Sequence, residues 1–112
     1  MKRYVRSKTF INRVTRERIE IERATKTLTI KYIVGDGYYK NGQSYDCYTF
    51  DDAEGNSWGY DFPVDYNGTT KSAIGKVLQE LDKGDSVKLS GYFIPSGQDR
   101  IPGRILNPRI LY

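Results

Sequence analysis

At 112 residues the chain is long enough for one domain, and with 38% hydrophobic and 29% charged residues it can bury a core with little stability to spare. It holds no histidine and a single cysteine, Cys47, which excludes histidine-based nucleophile and metal sites and any intramolecular disulfide. Its net charge of +4 is uneven: residues 1–31 carry ten basic residues against three acidic ones, and the remainder carries eight against eleven. A basic end on a mildly acidic body points to a polyanionic partner or to a solvated charged strand. No apolar run approaches the roughly 18 residues of a membrane span. The basic start from Met1 to Arg6 leads into no apolar segment of a secretory signal. A cytoplasmic protein without membrane contact is expected.

Residues 1–18 are rich in β-branched side chains (Val5, Thr9, Ile11, Val14, Thr15) and read as a strand or an extended arm. Ile19 and Ile21 alternate with Glu20 and Glu22. After the break at Ala24-Thr25-Lys26, Leu28, Ile30 and Tyr32 alternate with Thr29 and Lys31. Period two on both sides of a short polar break predicts paired strands. Gly35-Asp36-Gly37 predicts a strand end, with a polar, tyrosine-bearing loop over 38–43. Tyr45 to Asp51 and Ser57 to Val64 predict a hairpin around the turn Asp52-Ala53-Glu54-Gly55-Asn56.

Ile74, Val77, Leu78 and Leu81 fall on one face of a predicted helix. Thr69 or Thr70 would cap its start, and Lys83 and Gly84 would close it; Gly75 weakens it slightly. Val87, Leu89, Gly91 and Phe93 alternate with Lys88, Ser90 and Tyr92 in a half-buried strand. A loop over 95–99 leads to a last strand over 104–112. Pro108 would cost that strand a ladder bond, placing it at an edge or a bulge.

The order predicts an all-β protein with one helix: a five-stranded Greek-key barrel with the helix between its third and fourth strands, plus an N-terminal extra strand or arm. The turn Phe50-Asp51-Asp52-Ala53-Glu54-Gly55-Asn56, the stretch Leu81-Asp82-Lys83-Gly84-Asp85-Ser86-Val87-Lys88-Leu89-Ser90-Gly91-Tyr92 and the closing Ile105-Leu106-Asn107-Pro108-Arg109-Ile110-Leu111 carry a resemblance. Together they resemble nucleic-acid-binding OB-fold domains, with the single-stranded-DNA-binding proteins of bacteria and mobile elements as the nearest analogy. The resemblance covers roughly residues 27–112 and divides the chain into an arm, 1–23, and a barrel, 24–112. OB barrels also bind proteins and sugars, so the fold alone does not give the function.

Binding single strands needs flat side chains for bases and cations along the backbone path. The candidates are Lys31, Tyr38, Tyr39 and Lys40 near the first loop, Tyr48 on the second barrel strand and Trp58 on the third. Lys88 and Tyr92 follow on the fourth strand, and Arg100 and Arg104 flank the last loop. Trp58, Tyr60 and Phe62 share one strand face, which a small barrel needs as core; Trp58, beside the turn, has a rim position open to it. The parity of Val87, Leu89 and Phe93 sends Lys88 and Tyr92 outward. Asp51, Asp52 and Glu54 are explained by turn chemistry before a metal site, so no metal or cofactor is expected. Cys47 has no basic neighbour in sequence and reads as an inert thiol. The leading expectation is a non-enzymatic module for single-stranded DNA or RNA. The alternatives are a protein-interaction module forming homo-oligomers through residues 1–18 and, more distantly, a metal-dependent nuclease.

Overall fold

The computed structural model describes residues 7–11, 15–40 and 42–111, with the side chains of 36–40 excepted. Seven strands and one helix follow in order: β1 (Ser7–Ile11), β2 (Arg18–Glu22), β3 (Ala24–Lys40), β4 (Gln43–Asp51), β5 (Ser57–Val64), α1 (Ala73–Gln79), β6 (Ser86–Ile94) and β7 (Gly103–Ile110). Five of the strands close a barrel in the order β3-β4-β5-β7-β6, while β1 and β2 form a separate two-stranded sheet. Closure joins β5 to β7 in parallel, with all other pairs antiparallel. This is the predicted all-β, OB-like barrel with its helix between the third and fourth barrel strands. Among the described residues no helix is long and apolar enough to cross a membrane.

The barrel is filled from every strand, by Leu28, Ile30, Tyr48, Phe50, Trp58, Phe62, Val87, Leu89, Phe93 and Ile105 among others, with Leu78 of α1 closing one end. Trp58, Tyr60 and Phe62 point into this interior, as a small barrel's packing demands. The helix reaches the barrel because Gly75 has no side chain: a Cβ there would lie 2.7 Å from Cδ2 of Phe62. Gly75 therefore trades helix propensity for close packing. Gly103 is as constrained, since its Cβ would meet Cζ3 of Trp58 at 2.5 Å and the Ile94 carbonyl at 2.6 Å.

Several expected boundaries move. Ala24-Thr25-Lys26 makes no turn; β2 runs into β3 with only Arg23 between, and Ile19–Glu22 pair with β1 rather than with the strand that follows. Gly35-Asp36-Gly37 does not end a strand either. β3 continues to Lys40, absorbing these residues in a register shift between Val34 and Tyr38, where glycine eases the bulge. The helix is shorter than its apolar spacing suggests. Ser72 caps it, accepting the Gly75 amide at 3.0 Å, while the Thr70 hydroxyl donates to the Pro63 carbonyl at 2.8 Å and accepts the Ser72 amide at 3.1 Å. It ends at Glu80, and Gly84 (φ +94°) belongs instead to the turn into β6, donating its amide to the Ile30 carbonyl at 2.8 Å. Pro108 does sit at an irregularity, where β6 and β7 shift register between Ser90 and Tyr92.

Candidate functional site

The turn between β4 and β5 is organised by Asp52. Its Oδ1 accepts the amides of Glu54 and Asn56, each at 2.9 Å, and its Oδ2 accepts the Trp58 indole N–H at 2.9 Å and Lys26 Nζ at 3.3 Å. Burial pushes this carboxyl up, but the hydrogen bonds from Trp58, the two amides and Lys26 outweigh it and hold the pKa at about 2, below the ordinary 3.8. Asp52 is thus occupied as a structural acceptor, and among the described residues no cluster of three acidic or cysteine side chains is placed to hold a metal.

A folded-state pKa below the unfolded one stabilises the protein fully above pH 3.8, and that contribution is lost as pH falls through about 2. Acid unfolding should therefore steepen across that window. Asp52→Asn, which turns an NH2 toward these donors, should cost about 2 kcal/mol at neutral pH and flatten the acid limb, as read from urea titrations at several pH values.

Beside this turn lies a cleft of about 910 Å3 between the outer side of β3–β4, the β4–β5 turn and the loop from Pro95 to Pro102 that joins β6 to β7. A bulge builds its wall. Ile30 pairs with Phe50 but Tyr32 pairs with Thr49, so β3 carries one residue more than β4. The alternation of Leu28, Ile30 and Tyr32 is inverted there, and Tyr32 turns out of the barrel with 54% of its surface exposed. Lys31 Nζ and Lys83 Nζ each stand 5.5 Å from its ring centroid. Lys31 also pairs with Asp51 at 3.7 Å, both half-exposed. Arg100, exposed with φ +66°, and the edge of Trp58 also line the cleft.

The sequence-derived candidates divide among several places. Lys31, Trp58 and Arg100 meet in the cleft. Trp58 is 7% exposed and packs edge-on against Phe93, so it is core whose rim touches the cleft, not an open platform. Tyr48 is buried, its hydroxyl donating to the Leu78 carbonyl at 3.2 Å; the tightly filled interior claims it, and it offers no ligand surface. Arg104 is exposed on β7, paired with Gly59 and Ile94. The side chains of Tyr38, Tyr39 and Lys40 lie outside the described residues; their backbone pairs with Tyr45, Ser44 and Gln43 of β4.

Lys88 and Tyr92 occupy a different face of the barrel. Lys88 is exposed as parity predicts. Tyr92 also points away from the barrel interior, yet only 3% of it is exposed, which overturns its expected role as an open stacking surface. The β1–β2 hairpin covers it: Phe10 lies 6.1 Å from its ring, Lys8 Nζ 5.0 Å and the Arg23 guanidinium 5.5 Å. Parity predicts which way a side chain leaves a strand, but not what lies above it.

Tyr32 and Lys83 were not among the sequence candidates. Strict alternation places Tyr32 with Leu28 and Ile30 inside, and the only hint of a bulge is Lys31 followed by an unbroken Tyr32-Ile33-Val34 run. Cys47 stays protonated, its thiol pushed up to about 12 by burial, then by Asp61 and Asp46. Comparison with family models, curated proteins and solved structures finds no match to this chain.

Proposed function

We propose that this protein is a non-enzymatic module for single-stranded nucleic acid, holding a base in the cleft beside the Pro95–Pro102 loop. The observation that carries this reading is Tyr32: an exposed aromatic ring flanked by two lysines beside a cleft of an OB-like barrel. A flat ring receives any base, and cations beside it receive the phosphates, so weak sequence preference is expected. Lys31, Lys83 and Arg100 supply the positive charge, while Asn56 and Gln98 offer amide groups to a base edge.

The test is a fluorescence-anisotropy titration with labelled oligothymidylate. Tyr32→Ala should weaken binding by about 1–3 kcal/mol, the worth of one stacked base, and Tyr32→Phe should keep most of it. Equal affinity in wild type and a folded Tyr32→Ala protein would remove the cleft from consideration. The assembly reading keeps one supporting observation. β1 has an edge left unpaired among the described residues, beside an exposed Ile11. A concentration-dependent mass by light scattering, lost on truncation of β1, would favour it.

A further inference from the structure

The barrel strands are segregated by charge. β4 and β5 contain Asp46, Asp51 and Asp61 and not one basic residue. Ala24 to Gly35 of β3, together with all of β6 and β7, contain Lys26, Lys31, Lys88, Arg104 and Arg109 and not one acidic residue. Register places the outward side chains of the second group in rows: Thr25 beside Ser90 beside Arg109, Thr27 beside Lys88, and Thr29 beside Ser86. All are exposed except Ser90, which is half-buried. The hairpin adds two more cations at one end. Arg23 donates to Ser90 Oγ at 2.8 Å and to the Asn107 carbonyl at 2.7 Å, and Lys8 sits over Tyr92. At the other end the row of threonines along β3 runs on to Lys31 and Tyr32 in the cleft.

From this we infer that a nucleic-acid strand whose base occupies the cleft carries its phosphates along the outer face of β3 and β6 toward Arg109, and not across β4 and β5. The inference rests on the nucleic-acid reading of the cleft and adds a direction to it. Phosphates need cations and hydroxyl donors and are repelled by carboxylates. Ala24 to Gly35, β6 and β7 offer the former with no carboxylate of their own, and the β4–β5 face presents Asp51 and Asp61 on its outward positions opposite Ser57 and Cys47. Seven residue steps along β3 lead from Thr25 to Tyr32, a track of about 23 Å at roughly 3.3 Å per residue, long enough for several nucleotides.

A thymidine dinucleotide, too short to leave the cleft, and an oligothymidylate of about 16 nucleotides, the upper end of the range that one OB-like barrel covers, separate the track from the cleft. In the double variant Lys88→Ala/Arg109→Ala, the salt dependence of binding the longer oligonucleotide should become shallower by roughly 1.4, at about 0.7 per lost contact. Binding of the shorter one should be unchanged. Lys88→Gln/Arg109→Gln, which keeps part of each aliphatic stem, decides the matter if the alanine protein does not fold. A wild-type salt slope in either folded variant overturns the track and leaves the cleft standing. Wild-type protein that binds neither oligonucleotide removes the cleft and the track together. So does wild-type protein that binds vesicles of phosphatidylserine and phosphatidylcholine but no oligonucleotide, since the basic face would then belong to a membrane surface.

Discussion

Leu78→Ala is expected to destabilise the protein by about 2–5 kcal/mol, measured as a lower urea midpoint at an unchanged slope. Leu78 is fully buried and is the helix's main plug in the barrel end. Its own carbonyl receives the Tyr48 hydroxyl at 3.2 Å, so the backbone at this residue is fixed from the barrel side and cannot slide to refill the space. Phe62 is held against Gly75 one turn earlier, which removes the other route to collapse. The value should therefore fall in the upper part of the range. A loss below about 1 kcal/mol would mean that the helix end is loosely seated and that the barrel is closed by its strands alone.

Tyr92→Ala is expected to cost about 3 kcal/mol, near the lower bound for truncating a large buried aromatic. The loss has two parts. Burial beneath Phe10 is forfeited, and Lys8 and Arg23 each lose the ring face they stand over. The effect should be local. Amide exchange along Ser7–Ile11 and Arg18–Glu22 should accelerate strongly, while exchange in β4 and β5 follows only the global stability. Tyr92→Phe should be nearly silent, because packing and the ring face are retained. Unchanged protection in the hairpin of a folded Tyr92→Ala protein would show that Arg23 alone secures it.

These two residues also mark where the sequence was legible. Leu78 lies on an apolar helical face whose spacing has one good explanation, and the helix is there, shorter than its pattern. The hairpin from β4 to β5 was equally plain, because Asp52 and Gly55 are turn chemistry between two alternating runs. Tyr92 shows the limit of such reasoning, since its cover comes from a hairpin at the far end of the sequence. Tyr32 shows another. The extra residue between Ile30 and Tyr32 turns Tyr32 outward, and beyond the unbroken Tyr32-Ile33-Val34 run the local composition gives no sign of it. The charge segregation between strands could have been counted directly. Its meaning became available only once β6 was known to lie between β3 and β7.

Arg23, the lone residue between β2 and β3, bears on more than local packing. Its guanidinium is tied to Ser90 and Asn107 across the β6–β7 irregularity, so the hairpin is fastened at its root as well as at Phe10. A basic segment left as a free tail sweeps a large volume, catches a partner from many directions and forfeits that freedom on capture. Here the paired strands have already surrendered their conformational entropy during folding. Lys8 and Arg23 are thus held in place by the fold itself, and an anionic partner would meet a rigid pattern of charge whose ordering cost was met in advance.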